Sequence, residues 1–254
     1  MSKTRLTITI SPEIVRQLDG LIDGKTIRNR SHAIEYLVNQ QLTGQVSQAV
    51  ILAGGSKAAI DHTTTLVAGQ SILQHLINLL HSYHIHQIFI ITDQPSQELH
   101  TITDDDPGVT IVNQPPHQGT AGALVAAKHL LMPSPILVLH GDIFTDINLT
   151  DLIRFHHDHG QEITLCVKPK LNQQEFGKAI MNGHKIIHFL NKPEKSEVGM
   201  VNTGVYLINP SVLNNLPQTS SLMLETDVFP KLAEQHKIAG FLFDELWYDI
   251  SNKS

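Results

Sequence analysis

Hydrophobic and polar positions alternate strictly from Arg5 to Ser11, with Leu6, Ile8 and Ile10 on one side and Arg5, Thr7 and Thr9 on the other. Period-two alternation of this kind predicts a half-buried β-strand. Ser11 then offers an N-cap and Pro12 takes the first helical position, where its missing N–H does no harm. Ile14, Val15, Leu18, Leu21 and Ile22 follow at helical spacing and predict a helix that stops around Asp23-Gly24. After a basic connector from Lys25 to Arg30, Ser31 reads as the cap of a second amphipathic helix bearing Ile34, Leu37, Val38 and Leu42.

A short polar stretch, Thr43-Gly44-Gln45-Val46-Ser47-Gln48, leads into a different texture. Strand-like runs at Ala49–Ala53, Gln87–Thr92, Val109–Asn113, Ile136–His140 and Ile163–Lys168 interleave with helix-like runs at Ile72–Leu80, Thr120–Leu131 and Asp151–His159. The last helix has Thr150 as its expected cap and Gly160 as its stop. Such alternation predicts an α/β fold with a mostly parallel sheet covered by helices on both faces, its ligands lying beyond the carboxyl ends of the strands. The expected division is a small module over residues 1–43, a linker over 44–48 and an α/β domain over 49–254.

Composition narrows the class. Hydrophobic residues at 41% and charged residues at 17% of 254 describe an ordinary globular protein. No apolar run approaches bilayer-spanning length, and Met1-Ser2-Lys3-Thr4-Arg5 leads into no signal-type apolar core, so no membrane partner is expected. The single cysteine, Cys166, can form no internal disulfide and reads as a small buried hydrophobe, which fits a reducing cytoplasm. A net charge of −6 argues against nucleic acid coating the whole molecule. The start of the chain is nevertheless mildly basic, with Lys3, Arg5, Arg16, Lys25, Arg28 and Arg30 against Glu13, Asp19, Asp23 and Glu35. That asymmetry predicts two modules with different partners. The sixteen histidines include two local groups, His81, His84 and His86, and His156, His157 and His159. Without acidic or cysteine ligands at zinc-site spacing, both groups are expected to be solvated helix-end residues.

One strand and two helices in about forty residues cannot bury an adequate core alone, and a lone strand exposes both edges. Pairing with a second copy answers both problems. The segment resembles a ribbon–helix–helix domain of small bacterial and archaeal repressors. The resemblance implies a homodimer, or a higher even oligomer, whose two-stranded ribbon enters the major groove of double-stranded DNA. It assigns Arg5, Thr7 and Thr9 to base contacts, and the backbone near Asn29, Arg30 and Ser31 to a phosphate. The plainer reading is dimerisation alone, the threonines being good strand formers.

The larger part carries motifs in a telling order. Ala49-Val50-Ile51-Leu52-Ala53-Gly54-Gly55 comes first, then Val67-Ala68-Gly69-Gln70-Ser71-Ile72-Leu73 and Gln118-Gly119-Thr120-Ala121-Gly122-Ala123-Leu124. Leu139-His140-Gly141-Asp142, Phe189-Leu190-Asn191-Lys192-Pro193-Glu194, Asn202-Thr203-Gly204-Val205-Tyr206 and Trp247-Tyr248-Asp249-Ile250 follow. Over residues 49 to 251 this order resembles the nucleoside-diphosphate-sugar pyrophosphorylases. The resemblance implies a Rossmann-like, nucleotide-diphospho-sugar transferase fold that joins a sugar 1-phosphate to an NTP and releases pyrophosphate. Two anions must meet in that reaction, so cations have to offset their repulsion. By resemblance, Asp142 and Asp249 hold Mg²⁺ or another divalent metal, and Lys57, Asp142 and Lys192 carry catalysis. Leu52, Ala53, Gly54, Gly55, Gln114, Gly119 and Thr120 are assigned to the nucleotide. Gly141, Asn191, Lys192, Asn202 and Gly204 are assigned to the sugar phosphate.

The phosphate loop departs from the family. Gly55-Ser56-Lys57-Ala58-Ala59-Ile60-Asp61-His62-Thr63 places Lys57 where arginine is expected, and His62 or a threonine where lysine is expected. Lysine supplies a point charge without the bidentate fork of a guanidinium. Asn191 also replaces the family's glutamate before Lys192. Two further readings follow from these departures: a ligand-sensing regulator that binds nucleotide or sugar phosphate without turnover, and a repressor whose α/β part only supports the dimer.

Overall fold

The computed structural model describes residues 7–22, 27–34, 37–38, 46–55, 57–67, 69–103, 106–170, 176–191, 199–217 and 221–251, with only the backbone of residues 57–60. The chain divides into two compact units, Met1–Gln45 and Val46–Ser254.

In the first unit residues 7–10 join no sheet among the described residues, and Ile8 is 55% exposed. Helix α1 (Pro12–Gly20) starts as expected, with the Ser11 hydroxyl accepting the Ile14 N–H. It ends at Gly20 with Leu21 as its C-cap, earlier than the expected stop, which lies outside the described residues. A second helical segment begins at residue 30. Its cap is Asn29, whose Oδ1 accepts the His32 N–H at 2.9 Å, because Ser31 already lies inside the first turn. Arg30 donates to both oxygens of Asp19, at 2.6 and 2.8 Å, and so ties this segment to α1. Among the described residues of this unit the buried core consists of Leu18, Ile27 and Ala33.

The second unit is built on a nine-stranded sheet in the order β5-β4-β1-β6-β11-β8-β12-β10-β9. Strands β1 (Gln48–Leu52), β4 (Gln87–Thr92), β5 (Val109–Asn113) and β6 (Ile136–His140) are parallel. Gln48, expected in the linker, is the first residue of β1, and its buried amide bonds to the carbonyls of Met132 and Ser134. The expectation of a mostly parallel sheet holds for this half only. Strand β11 (Gly199–Ile208) runs antiparallel to β6 and to β8 (Ile163–Lys170), whereas β12 (Ile238–Leu242) is parallel to β8. Strands β9 (Lys178–Asn182) and β10 (Lys185–Leu190) form a hairpin turned at Gly183, whose φ is +59°. A tight turn obliges antiparallel pairing, and fully buried strands read the same in either direction.

Alternate residues of β1 enter two cores: Val50 packs with Phe89, Val138 and Leu124 on one face, Ala49 and Ile51 with Leu73, Leu76 and Leu139 on the other. Helix α2 (Lys57–Thr64) is followed by α3 (Ile72–Ser82), capped by Ser71, and by α4 (Gln97–Thr103). Helix α5 (Gly119–Ala127) comes next. Helix α6 (Leu149–His159) is capped by Asn148, not Thr150, and Gly160 ends it with a φ of +59°. Two short helices, α7 (Pro210–Asn215) and α8 (Phe229–Glu234), follow β11.

The histidine expectation fails at His156. Its ring is buried, bonded to Thr164 Oγ1 at 2.8 Å and Asn209 Oδ1 at 3.1 Å, and burial holds its pKa below the ordinary imidazole value. His81 is half-buried, 3.4 Å from an Asp106 carboxylate oxygen. Among the described residues no group of three or more His, Cys, Asp or Glu is arranged to hold a metal ion. Cys166 is buried, and burial pushes its thiol pKa well up. No described helix is long and apolar enough to cross a membrane.

Candidate active site

The carboxyl ends of the parallel strands open into a cavity of about 330 Å³ lined by Leu52, Gly54, Gly55, Gln114, Gly119 and Thr120, six of the seven residues expected to hold nucleotide. The seventh, Ala53, is buried, its N–H bonded to the Ile91 carbonyl at 2.9 Å. Asp93, directly after β4, lines the same cavity. Its Oδ1 accepts the Gly55 N–H at 3.0 Å, so that amide already has a partner. A side chain on Gly54 would reach within 3.0 Å of Asp93 Oδ1 and 3.3 Å of Gln114 Nε2; glycine keeps the floor open. Leu52, Ile91, Ala123 and Met223 supply apolar wall.

Gly141 donates its N–H to the Leu52 carbonyl at 2.9 Å, and Thr63 Oγ1 leaves only 3.0 Å for a side chain there. This fixes the turn that carries Asp142. Strand β7 (Ile143–Thr145) pairs antiparallel with β13 (Trp247–Asp249), setting Asp249 opposite Ile143, and the Ile250 N–H reaches the Asp142 carbonyl at 3.0 Å. Two aspartates distant in sequence are thus held by their backbones at one turn.

Beneath them lies a polar network that sequence reasoning missed. A π-helical turn (Leu224–Val228) presents Glu225, which accepts the Thr120 hydroxyl at 2.9 Å on Oε2. Its Oε1 lies 3.5 Å from His140 Nε2 and 3.4 Å from the Tyr206 hydroxyl. Burial works against a charged His140, but the bond to Glu225 and the fields of Glu225, Asp142 and Asp249 outweigh it and raise its pKa. Burial likewise opposes the Glu225 carboxylate, and His140 reverses this, holding its pKa below the usual value. Burial and the neighbouring Glu225 charge push the Tyr206 phenol well up.

The sugar-phosphate set divides. Asn202 is buried and does not face an open pocket: its amide donates to the Tyr206 hydroxyl at 2.8 Å and its carbonyl accepts the Gly204 N–H at 3.1 Å. It holds a bulge in β11, where Gly204, at φ +76°, packs against the His140 ring. Trp247 Nε1 donates to the Thr203 carbonyl at 2.8 Å, fastening β13 to that bulge. Asn191 is exposed at the end of β10, one residue past Leu190, which pairs with Lys178; Gly177, beside Lys178, accepts the Asn202 N–H at 2.8 Å. Lys192 lies outside the described residues, and Lys57 begins α2 with its side chain outside them. In the first unit Arg5 is likewise outside, Thr7, Thr9 and Ser31 are exposed, and Arg30 is engaged by Asp19.

Two hard-oxygen carboxylates suit Mg²⁺, which takes one or two carboxylates with phosphate oxygens and water rather than a complete protein cage.

The sheet order and the likeness to solved structures give a protein of the nucleotide-diphospho-sugar transferase fold. The chain belongs to the nucleotidyl transferase family, whose profile matches residues 48–254. It is 28% identical over 222 residues to the mannose-1-phosphate guanylyltransferase catalytic subunit beta of Drosophila pseudoobscura pseudoobscura, a match covering 82% of this chain and 60% of the fly protein. The same subunit of Drosophila melanogaster is 26% identical over 222 residues, again covering 82% and 60%. HddC from Yersinia pseudotuberculosis, solved complexed with GMP-PN, superposes with a TM-score of 0.69 at 18% identity, covering 82% of this chain and 95% of that one. The chain thus spans about 60% of the length of these curated relatives.

Proposed function

We propose that the α/β unit is a sugar-phosphate nucleotidyltransferase. An oxygen of the sugar 1-phosphate attacks the α-phosphorus of an NTP in line; the bond from that phosphorus to the bridging oxygen breaks, and pyrophosphate leaves with the electron pair. No side-chain nucleophile is needed, so the protein's task is positioning and charge compensation. The observation that carries this reading is the glycine-lined cavity at the carboxyl ends of the parallel strands, supported by the β7–β13 pairing that holds the backbones of Asp142 and Asp249 at one turn. These two residues would hold a divalent metal, which would offset the charge of the phosphates. Gly54, Gly119 and Gln114 seat the nucleotide, Lys57 and Lys192 supply positive charge to the phosphates, and Asn191 faces the sugar. Asn202 and Gly204 act one step back, shaping the bulge against His140.

The test is pyrophosphate release with Mg²⁺, a panel of NTPs and a panel of sugar 1-phosphates, led by GTP with mannose 1-phosphate because of the relatives' activity. Asp142→Asn should lower turnover by about a hundredfold or more with folding unchanged. Intact turnover in that variant would remove the metal role, and a folded protein silent on every pair would favour the nucleotide-sensing reading.

The first unit is read as a ribbon–helix–helix module that dimerises the protein and binds double-stranded DNA. Supporting this, Ile8, Ile14, Leu37 and Val38 are exposed, and three hydrophobic residues are buried together among the described residues. The bidentate Asp19 bond to Arg30 leaves base contact to Arg5, Thr7 and Thr9.

A further inference from the structure

We infer that Asp93, with Gln114, reads the base of the nucleotide and selects guanine. The inference rests on the transferase reading for the identity of the cavity and adds the residue that discriminates among its ligands.

Asp93 follows the last residue of β4, where an open α/β sheet presents groups to ligand. It is half-buried on the cavity wall. The Gly55 N–H, 3.0 Å from Oδ1, is the one hydrogen bond made by its carboxylate among the described residues. Oδ2 is therefore left as an unspent acceptor. Gln114 hangs from the adjacent strand end, its own N–H held by the Thr92 carbonyl at 2.9 Å. Its side-chain amide makes no hydrogen bond among the described residues, and its Oε1 is buried without a partner. Its Nε2 lies 3.3 Å, and Asp93 Oδ1 3.0 Å, from where a Gly54 side chain would begin. A donor and a two-oxygen acceptor thus flank Gly54 in a cavity also lined by apolar Leu52, Ile91, Ala123 and Met223.

Around its pairing edge guanine offers an acceptor (O6), a donor (N1–H) and a second donor (the N2 amine) in that order. Gln114 Nε2 meets the acceptor and the Asp93 carboxylate meets the two donors. Adenine reverses the first two positions, setting an amine against the amide N–H and a lone pair against the carboxylate. Inosine keeps O6 and N1–H but lacks the N2 amine. Uracil matches twice and sets its second carbonyl against Asp93, and cytosine opposes the wall throughout. The expected order of affinity is GTP, then ITP, then UTP, with ATP and CTP last.

A purely structural Asp93 would need only one oxygen, for Gly55. Asp93→Asn keeps that oxygen and turns a donor toward the base, so it separates the two roles. Calorimetric titration of the full chain with GTP, ITP, UTP, ATP and CTP needs no turnover. The wild-type protein should bind GTP about tenfold or more tightly than ITP, the loss expected for one unmatched buried polar group. Asp93→Asn should weaken GTP and lower the GTP-to-ATP affinity ratio by about tenfold or more. Equal binding of GTP, ITP and ATP by the wild type overturns the inference without any variant, as does an unchanged ratio in folded Asp93→Asn. Absence of binding for all five nucleotides overturns this inference and the transferase reading together; binding without base preference overturns this inference alone.

Discussion

Single residues in this protein are constrained by what their neighbours leave unpaired. His156 is a clear case, because its ring bonds Thr164 and Asn209 in the folded protein and burial disfavours its charged form. With the folded pKa depressed, the unfolded chain binds a proton that the folded chain refuses as pH falls through the ordinary imidazole range. Stability from this contact is therefore full at neutral pH and is lost on acidification. His156→Gln should destabilise the protein more at about pH 7.5 than at about pH 5.5, measured as the shift in urea midpoint at each pH. At this scale the sequence shows the glycines of the cavity, because they fall in a family order of motifs. It conceals Asp93 and Glu225, which belong to no quoted motif. A signal for Asp93 existed: an acid one residue beyond a buried strand stands where such sheets bind ligand. Glu225 was legible only as a lone carboxylate in the apolar run Leu222-Met223-Leu224, and its partners lie on distant elements.

Elements are set by caps, turns and close approaches more than by their apolar stripes. Helix α5 begins at Gly119, whose φ is +72°, and a side chain there would come within 2.5 Å of the Leu222 carbonyl. That same carbonyl receives the N–H groups of Ala121 and Gly122, both at 2.9 Å. Gly119→Ala should therefore cost about 1–2 kcal/mol from the left-handed backbone alone, with the overlap in addition. It should also weaken nucleotide binding, since Gly119 lines the cavity. Gly122→Ala, whose nearest contact would be 3.4 Å, is the control expected to change melting temperature little. The parallel strands were readable because apolar runs alternate with amphipathic helices. The antiparallel half was not: eight consecutive buried residues of β11 carry no period-two signal, and pairing direction follows from turns such as Gly183. Caps were misplaced at Ser31 and Thr150 because an asparagine sits just upstream of each and its carbonyl reaches the helix first.

At the scale of the molecule the two units differ in self-sufficiency. The α/β unit has a core on each face of its sheet, whereas among the described residues the first unit buries Leu18, Ile27 and Ala33 and residues 7–10 join no sheet. In the proposed dimer, pairing with a second copy would make these residues a strand. Replacing both Arg5 and Thr7 with alanine should abolish site-specific retardation of DNA in a gel while sedimentation still reports a dimer; retained binding would remove the ribbon-face assignment. The charge asymmetry in the sequence anticipated two modules, but the small hydrophobic count could not say which surface stays open. The β7–β13 pairing has one more consequence, for biosynthesis. During translation β1, β4, β5 and β6 are made first and can pack as a local unit, yet the turn of Asp142 waits for Trp247–Asp249, the last strand in the element order. A nascent chain can therefore acquire its scaffold well before Asp142 and Asp249 are brought to one turn.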